Sequence, residues 1–250
     1  MKRILPLLCA LLLACSCATA QEQTAPTLEG VRLYPEGATE ETARYRFAYR
    51  YPQLAATDGI AADVNAHYQA VLQEMLDAVM PQEYEALALE GIPDGPGCYA
   101  SVEYAIRLDN EDYLSIVLTT TQFLGNNVAQ SVSADVFARQ GEYQGMPCTL
   151  SQVVGLEGDT PAQGSSYASQ LAYGLVWQII AEQQSVGQID YLEGLSRESV
   201  ARAFQPETDF YLDEDGNLVF FIQAGLVAGE VEGVLTYPFA VAEFLSAVRE

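Results

Sequence analysis

Residues 99 to 123 read YASVEYAIRLDNEDYLSIVLTTTQF, and this stretch decides the fold. Two runs rich in β-branched and aromatic residues, 99 to 108 and 113 to 123, are separated by the four polar residues 109 to 112. Two such runs with a short polar connection predict an antiparallel β-hairpin. Residues 131 to 139 predict a third strand of the same meander.

Upstream, residues 45 to 51 alternate between an aromatic face and a face of arginine and alanine, and Pro52 follows. This period of two predicts a half-buried strand. Arg44, Arg46 and Arg50 lie on its polar face. They are candidate ligand-binding residues that could hold a carboxylate-bearing ligand, such as a cell-wall polymer, by bidentate contacts. Alternatively, they pair with acids on a neighbouring strand.

Helical periods occur in several segments. From Ile60 to Val79 the apolar residues follow the 3.6-residue period, and Pro81 predicts the end of this helix. A second helix is predicted from Tyr167 to Gln183, and Ser196 is placed to cap a shorter one that reaches Phe204.

Near the C-terminus, residues 210 to 212 and 218 to 223 predict another hairpin. Asp213, Asp215 and Asn217 in its turn have the spacing of the first calcium-loop ligands, but the glycine position and the missing final glutamate favour a plain turn. A short strand at 234 to 237 and a helix from Pro238 close the chain. Strands and helices come in blocks, which predicts an α+β fold with a mainly antiparallel sheet, helices packed on one side and two intimately associated subdomains.

Residues 1 to 20 predict a signal peptide: Lys2 and Arg3 precede an apolar run and then small residues. Residues 12 to 15, LLAC, resemble a lipobox, which would make Cys15 a diacylated membrane anchor. Residues 18 to 20, ATA, fit ordinary cleavage instead. We therefore expect an extracytoplasmic protein of the bacterial envelope, either a lipoprotein or a secreted chain.

After such cleavage nine arginines face 34 acidic residues, a net charge of about −25. This balance disfavours nucleic acid as a partner, leaves the lipid anchor as the only expected contact with a membrane, and suits a basic protein. It could also serve solubility alone. The sequence does not indicate an oligomeric state.

Cys98 and Cys148 are the two cysteines beyond the signal region. In an exported protein such a pair predicts a disulfide, with two buried free thiols as the alternative.

The chain has one histidine, His67, which disfavours a zinc site and a serine or cysteine triad. Its place beside Val64 and Val71 predicts a packing role. No glycine-rich phosphate loop is present. We therefore expect no metal, cofactor or assigned catalytic residue, although a glycan hydrolase that uses carboxylates alone remains an alternative.

Two sets of short motifs resemble known extracytoplasmic domains. Tyr51-Pro52, Asn65, residues 113 to 116 (YLSI) and residues 149 to 151 (TLS) resemble the domain of unknown function 4163, found in the deacetylase PdaC. Residues 210 to 212, 216 to 221 and 234 to 238 resemble the domain of unknown function 3298, which ends the lysozyme-sensing anti-sigma factor RsiV. The resemblance implies a PdaC-like domain over residues 28–156 and an RsiV-like domain over 165–250, without deacetylase or sigma-binding parts.

The same resemblance implies an envelope setting and, through the anti-sigma relatives, binding of lysozyme, a basic protein. We expect a non-enzymatic envelope protein, lipid-anchored through Cys15, that binds a cell-wall glycan of peptidoglycan or a lysozyme-like muramidase. The alternatives are a carboxylate-based glycan hydrolase and a structural envelope lipoprotein without a small ligand.

Overall fold

The computed structural model describes residues 28–89, 98–125, 127–157 and 166–247. Eight strands are present in these ranges: β1 Leu28–Tyr34, β2 Tyr45–Tyr51, β3 Cys98–Asp109, β4 Tyr113–Phe123, β5 Val128–Ala138, β6 Phe210–Leu212, β7 Leu218–Ile222 and β8 Leu235–Phe239. The α-helices are α1 Ala61–Glu74, α2 Met80–Leu89, α3 Leu150–Val153, α4 Tyr167–Val186, α5 Arg197–Ala203 and α6 Val241–Ser246.

The first five strands form one sheet in the order β1-β2-β3-β4-β5. All neighbours are antiparallel except β2 and β3, which run parallel because α1 and α2 carry the chain back between them. The hairpin predicted over residues 99 to 123 is therefore the centre of the sheet. β1 was missed by the sequence patterns, because only Tyr34 of this edge strand is buried.

Strand β2 has the two faces that its alternation predicts. Tyr45, Phe47 and Tyr51 are buried against α1, and Arg46 and Arg50 are exposed. Helix α1 contributes Val64 and other apolar residues at helical spacing to the same core. Burial of these large side chains fixes α1 on one face of the sheet.

The prediction that Pro81 ends the first helix is wrong. A π-helical turn, Met75–Val79, follows α1, and the chain continues as α2. In this turn the Met80 N–H donates to the carbonyl of Met75, five residues back. Proline has no N–H and its ring clashes with the carbonyl four residues earlier, so the widened turn lets Pro81 occupy the first turn of α2.

The last three strands form a second antiparallel sheet in the order β6-β7-β8. Pro238 lies within β8, opposite Val219, and not at the start of a helix as the sequence predicted. Because β8 is an edge strand of this sheet, the absent proline N–H breaks no ladder hydrogen bond. Helix α6 begins three residues later, at Val241.

Helix α4 packs on the second sheet and forms a second core with it. The Ser166 side chain accepts a hydrogen bond from the Ser169 N–H at the start of α4, and Gly187 ends the helix with a φ of 65°. Ser196 caps α5 with a reciprocal side-chain bond to Ser199, as predicted.

The two sheets share a buried boundary. The register of β3, β4 and β5 places Leu108, Ser115 and Val136 side by side on the face opposite α1, where Leu108 and Val136 join the second core. Ser115 is fully buried, and its hydroxyl accepts the Leu212 N–H at 3.0 Å. The predicted α+β class with a mainly antiparallel sheet is confirmed, whereas the domain limits at residues 156 and 165 stay a prediction.

Candidate functional site

A polar cleft of about 370 Å³ opens where the β3–β4 turn, the loop after β5 and α3 meet. We call it the acidic cleft. Its lining combines two carboxylates, two tyrosines, amides and a thiol: Asp112, Tyr113, Gln140, Glu142, Tyr143, Cys148 and Gln152, with Ala138 and Gly141.

One wall of the acidic cleft is the turn between β3 and β4. The side-chain oxygen of Asn110 accepts the N–H groups of Asp112 at 2.9 Å and Tyr113 at 2.8 Å. This local hydrogen bonding is why asparagine favours the turn. The turn therefore holds Asp112 and Tyr113 in fixed positions at the cleft.

The opposite wall is the loop after β5, which folds back along the strand. Gly145 N–H donates to the carbonyl of Ala138 at 2.8 Å, and Cys148 N–H donates to the carbonyl of Val136 at 2.7 Å. Gly145 has a φ of 77°, and a Cβ placed there would come within 2.9 Å of the Cβ of Asp63 on α1. Glycine is therefore required where the loop meets α1.

The charge of the acidic cleft is negative. Asp112 accepts a hydrogen bond from the Gln140 amide at 2.6 Å, and Glu142 is exposed at the rim. A hydrogen bond to the Glu157 carboxylate raises the pKa of Tyr143, which places a third acid beside the opening. No arginine or lysine is among the described residues that line the cleft.

The nearby cation, Arg139, is held by other acids. Its guanidinium donates to both carboxylate oxygens of Asp58, at 3.0 and 2.9 Å, and to Asp109 at 2.5 Å. Its side chain is only 16% exposed. Arg139 therefore fixes the framework behind the β3–β4 turn, and Asp112 and Glu142 have no ion pair with any residue that the structure describes.

The interior of the cleft is uncharged. Burial raises the pKa of the Cys148 thiol, and burial together with the neighbouring Cys148 and Asp112 raises the pKa of Tyr113. Both groups are neutral at physiological pH, and a thiol of raised pKa is a poor nucleophile. The arrangement suits binding of a positively charged group at the rim.

Carboxylate catalysis needs an acid of raised pKa that faces the substrate. Burial raises the pKa of Asp209, but that side chain accepts the Gln205 N–H and does not line the cleft. Within the described ranges no three histidine, cysteine, aspartate or glutamate side chains cluster closely enough to hold a metal ion.

The predicted arginine site is not one cluster. Arg46 lies 3.8 Å from Glu40, and Arg50 lies 3.5 Å from Glu103 on β3 with its guanidinium over the Tyr104 ring. The alternative, pairing with acids on a neighbouring strand, describes Arg50, whereas the acid beside Arg46 lies in the loop before β2; Arg44 also has a partner. None of the three lines the acidic cleft.

The predicted disulfide between Cys98 and Cys148 is contradicted, because both cysteines are free thiols. The neighbour of Cys98 on β3, Tyr99, aligns through β4 with Val128, whereas Cys148 is bonded to Val136, eight residues further along β5. At about 3.3 Å per residue the thiols are separated by roughly 26 Å of sheet. A disulfide needs Cα atoms within about 7 Å.

The remaining predicted residues have structural roles or lie outside the described ranges. His67 packs edge-on against Tyr68 and Phe137 and lies 3.3 Å from an Asp135 carboxylate oxygen. Residues 213 to 217 form the predicted turn between β6 and β7, where Asp213 accepts the Asn217 N–H. Cys15 and the whole signal segment are not among the described residues, so lipidation stays a prediction.

The acidic cleft was not found from the sequence. Its residues come from three separated segments, and most of them lie in loops or at the ends of the predicted strands. The acids of 109 to 112 were recognised only as a turn. The one available signal was the polar, glycine-containing run from residue 139 to 145, which resembles any surface loop.

Two solved structures have the same fold over most of their length. The chain is similar to a member of the DUF3298 family from Bacteroides fragilis, with a TM-score of 0.51 and 12% identity over 88% of this chain and 96% of that one. It is also similar to a DUF3298 family protein from Pseudomonas aeruginosa PAO1, with a TM-score of 0.53 and 13% identity over 89% and 92%. No family model and no curated protein matches the sequence.

At these identities the likeness shows the fold alone, which is that of DUF3298 family proteins, a family of unknown function. The finer resemblance to RsiV and to the PdaC-type domain stays a prediction. Among the described helices, none has the length and apolar character needed to span a bilayer.

Proposed function

We propose that this chain is an exported, non-enzymatic protein of the bacterial envelope that binds a lysozyme-like muramidase, a basic protein, through the acidic cleft. The observation that carries the proposal is the uncompensated pair Asp112 and Glu142 at the rim of a 370 Å³ opening. Cys15 is the proposed lipid attachment point.

Charge supports this partner. With nine arginines against 34 acids the mature chain attracts a basic protein over long range and repels other acidic surfaces. Near the cleft the attraction is focused, because Arg139 is already bonded to Asp58 and Asp109. Such complementarity raises the association rate and makes it dependent on salt.

The shape of the cleft supports the same partner. The opening can accept one protruding lysine or arginine side chain, whose alkyl part would pack against Tyr113 and Tyr143 while its charged end meets Asp112. An arginine anchored in a pocket is a frequent centre of a protein interface.

The test is calorimetric titration of lysozyme into the mature chain at low and at physiological salt. The double variant Asp112→Asn, Glu142→Gln should weaken binding about tenfold and flatten its salt dependence. The matched control, Glu182→Gln with Glu193→Gln, removes the same charge from exposed positions at and beyond the far end of α4. Equal affinity of the two double variants would refute the cleft as the binding site.

A cell-wall glycan is a second candidate ligand, and a different surface of the protein is suited to bind it. On the sheet face opposite α1, Tyr99 is 37% exposed, its ring centroid lies 5.7 Å from that of Phe123, and Arg46 is its partner on β2. The exposed Tyr99 ring beside the half-buried Phe123 ring offers an apolar face on which a sugar ring can stack, and arginine offers donors to a carboxylate of the glycan. Peptidoglycan fragments that bind wild type but not Tyr99→Ala would support this function, whereas unaltered binding by that variant would exclude this face.

A further inference from the structure

A second cavity, of about 200 Å³, lies between the π-helical turn and the face of the large sheet that packs on α1. Its floor is made of small side chains that the strand register places together: Ala100 and Ala129 on either side of Gln122, and Thr120 opposite Ser131. Close packing is the norm in protein cores, so small residues under a helix leave space that no side chain fills.

The π-helical turn supplies the roof of this cavity. Met75 and Met80 both line it. In a regular α-helix, residues five apart point about 140° away from each other, whereas the bond from Met80 N–H to the Met75 carbonyl brings them onto one side. The turn therefore directs two polarizable thioethers toward the same space.

Among the described residues that line the cavity, one has an ionisable side chain, Glu83 on α2. Its Oε2 atom accepts hydrogen bonds from the Tyr45 hydroxyl and the Gln122 amide, both at 2.9 Å. Its Oε1 atom receives no hydrogen bond from any residue that the structure describes. Two neutral donors thus fix the carboxylate while one oxygen stays available to a ligand.

We propose that this cavity binds a small organic monocation, a primary alkylammonium group with a short apolar chain. The ammonium would donate to Glu83 Oε1 and to the hydroxyls of Thr120 and Ser131, and the chain would pack on the two methionines. The volume fits this size, since a cavity of about 150 Å³ accepts a benzene molecule. The site is separate from the acidic cleft, and its test does not depend on muramidase binding.

The methionines provide a direct test. The chain with ¹³C-labelled methionine methyl groups is titrated with n-butylammonium chloride and, in parallel, with sodium butyrate of the same size and opposite charge. We expect saturable shifts of the Met75 and Met80 methyl signals with butylammonium alone. Met146, which is exposed and does not line the cavity, is the internal reference and should stay unchanged.

Two variants separate the site from unspecific binding. Glu83→Gln keeps the acceptor for Tyr45 but removes the charge, and should weaken butylammonium binding roughly tenfold. Ala129→Leu, at an exposed position of β5, should block the cavity without disturbing the core. Equal shifts with butyrate, or undiminished butylammonium binding by both variants, would overturn the proposal.

Discussion

The side-chain amide of Gln223 makes two hydrogen bonds with the backbone of Val132. The Oε1 atom accepts the Val132 N–H at 3.0 Å, and Nε2 donates to the Val132 carbonyl at 2.6 Å. Val132 lies at the outer edge of β5, and Gln223 directly follows β7. One side chain therefore takes the place of a strand residue and joins the two sheets.

Removal of this amide should destabilise the contact between the two sheets. We expect Gln223→Ala to lower the free energy of unfolding by about 1 to 3 kcal/mol, because the N–H and carbonyl of a part-buried residue lose their partners. Urea unfolding of the mature chain measures the loss, with the exposed Gln184→Ala on α4 as control. A loss no larger than that of the control would show that water replaces the amide without cost.

Glu207 should make stability depend on pH. Burial alone would raise the pKa of this carboxyl, but hydrogen bonds from the Ser151 N–H and from the hydroxyls of Ser166, Ser151 and Ser169 outweigh burial and lower the pKa below 4.5. A lowered pKa in the folded state means a contribution that is complete above the ordinary pKa and is lost as the pH falls through the folded pKa.

Glu207→Gln should therefore cost most near neutral pH, and the difference from wild type should shrink at about pH 4 and below. Urea unfolding at both pH values measures this, and the exposed Glu182→Gln is the control. A difference that is the same at both pH values would mean that the hydrogen bonds to Glu207 do not depend on its charge.

Gly145 should tolerate substitution less well than Gly141. Both have positive φ, 77° and 83°, so alanine strains the backbone at either position by about 1 to 2 kcal/mol. At Gly141 a Cβ would meet open space, but at Gly145 it would overlap Asp63. We expect Gly145→Ala to be the less stable variant by thermal unfolding, and equal losses would show that the loop moves away from α1 freely.

Cys98 and Cys148 should both titrate as thiols. In unreduced protein that begins at Gln21 and is denatured with guanidinium we expect two thiols per chain, and in the native state Cys98 should react faster, because Cys148 is buried and its pKa is raised. Detection of no thiol after denaturation would contradict the separation of the two residues across the sheet.

The meander and the α4 helix were predictable because their periods reflect burial directly. The hairpin over residues 99 to 123 and the cap at Ser196 needed no knowledge of the rest of the chain. Pro81 and Pro238 gave wrong predictions. The sequence shows only that proline lacks an N–H. Whether a hydrogen bond is lost depends on the surrounding structure, a π-helical turn before Pro81 and an edge strand around Pro238, which other residues create.

The sites were less predictable than the fold. Cys98 and Cys148 suggested a disulfide because the sequence predicts export, but strand register decides the distance between them. In the sequence Asp112 and Glu142 look like ordinary loop acids. Their charge can act on a ligand because Arg139, the nearby cation, forms ion pairs with Asp58 and Asp109 instead. Glu83 carried no signal, since its partners Tyr45 and Gln122 are 38 and 39 residues away in sequence.

The amide of Gln223 and the loop that folds back after β5 also protect the protein from other copies of itself. β5 is the outermost strand of its sheet, and an open outer strand invites a neighbouring chain to extend the sheet into an aggregate. The Gln223 amide is hydrogen-bonded to the backbone of Val132, and the returning loop is hydrogen-bonded to the backbone of Val136 and Ala138. These backbone groups are therefore not available to a strand of another molecule. The remaining stretch of β5, between Val128 and Ser131, is too short to hold an added strand, so copies of the chain should not join through this edge.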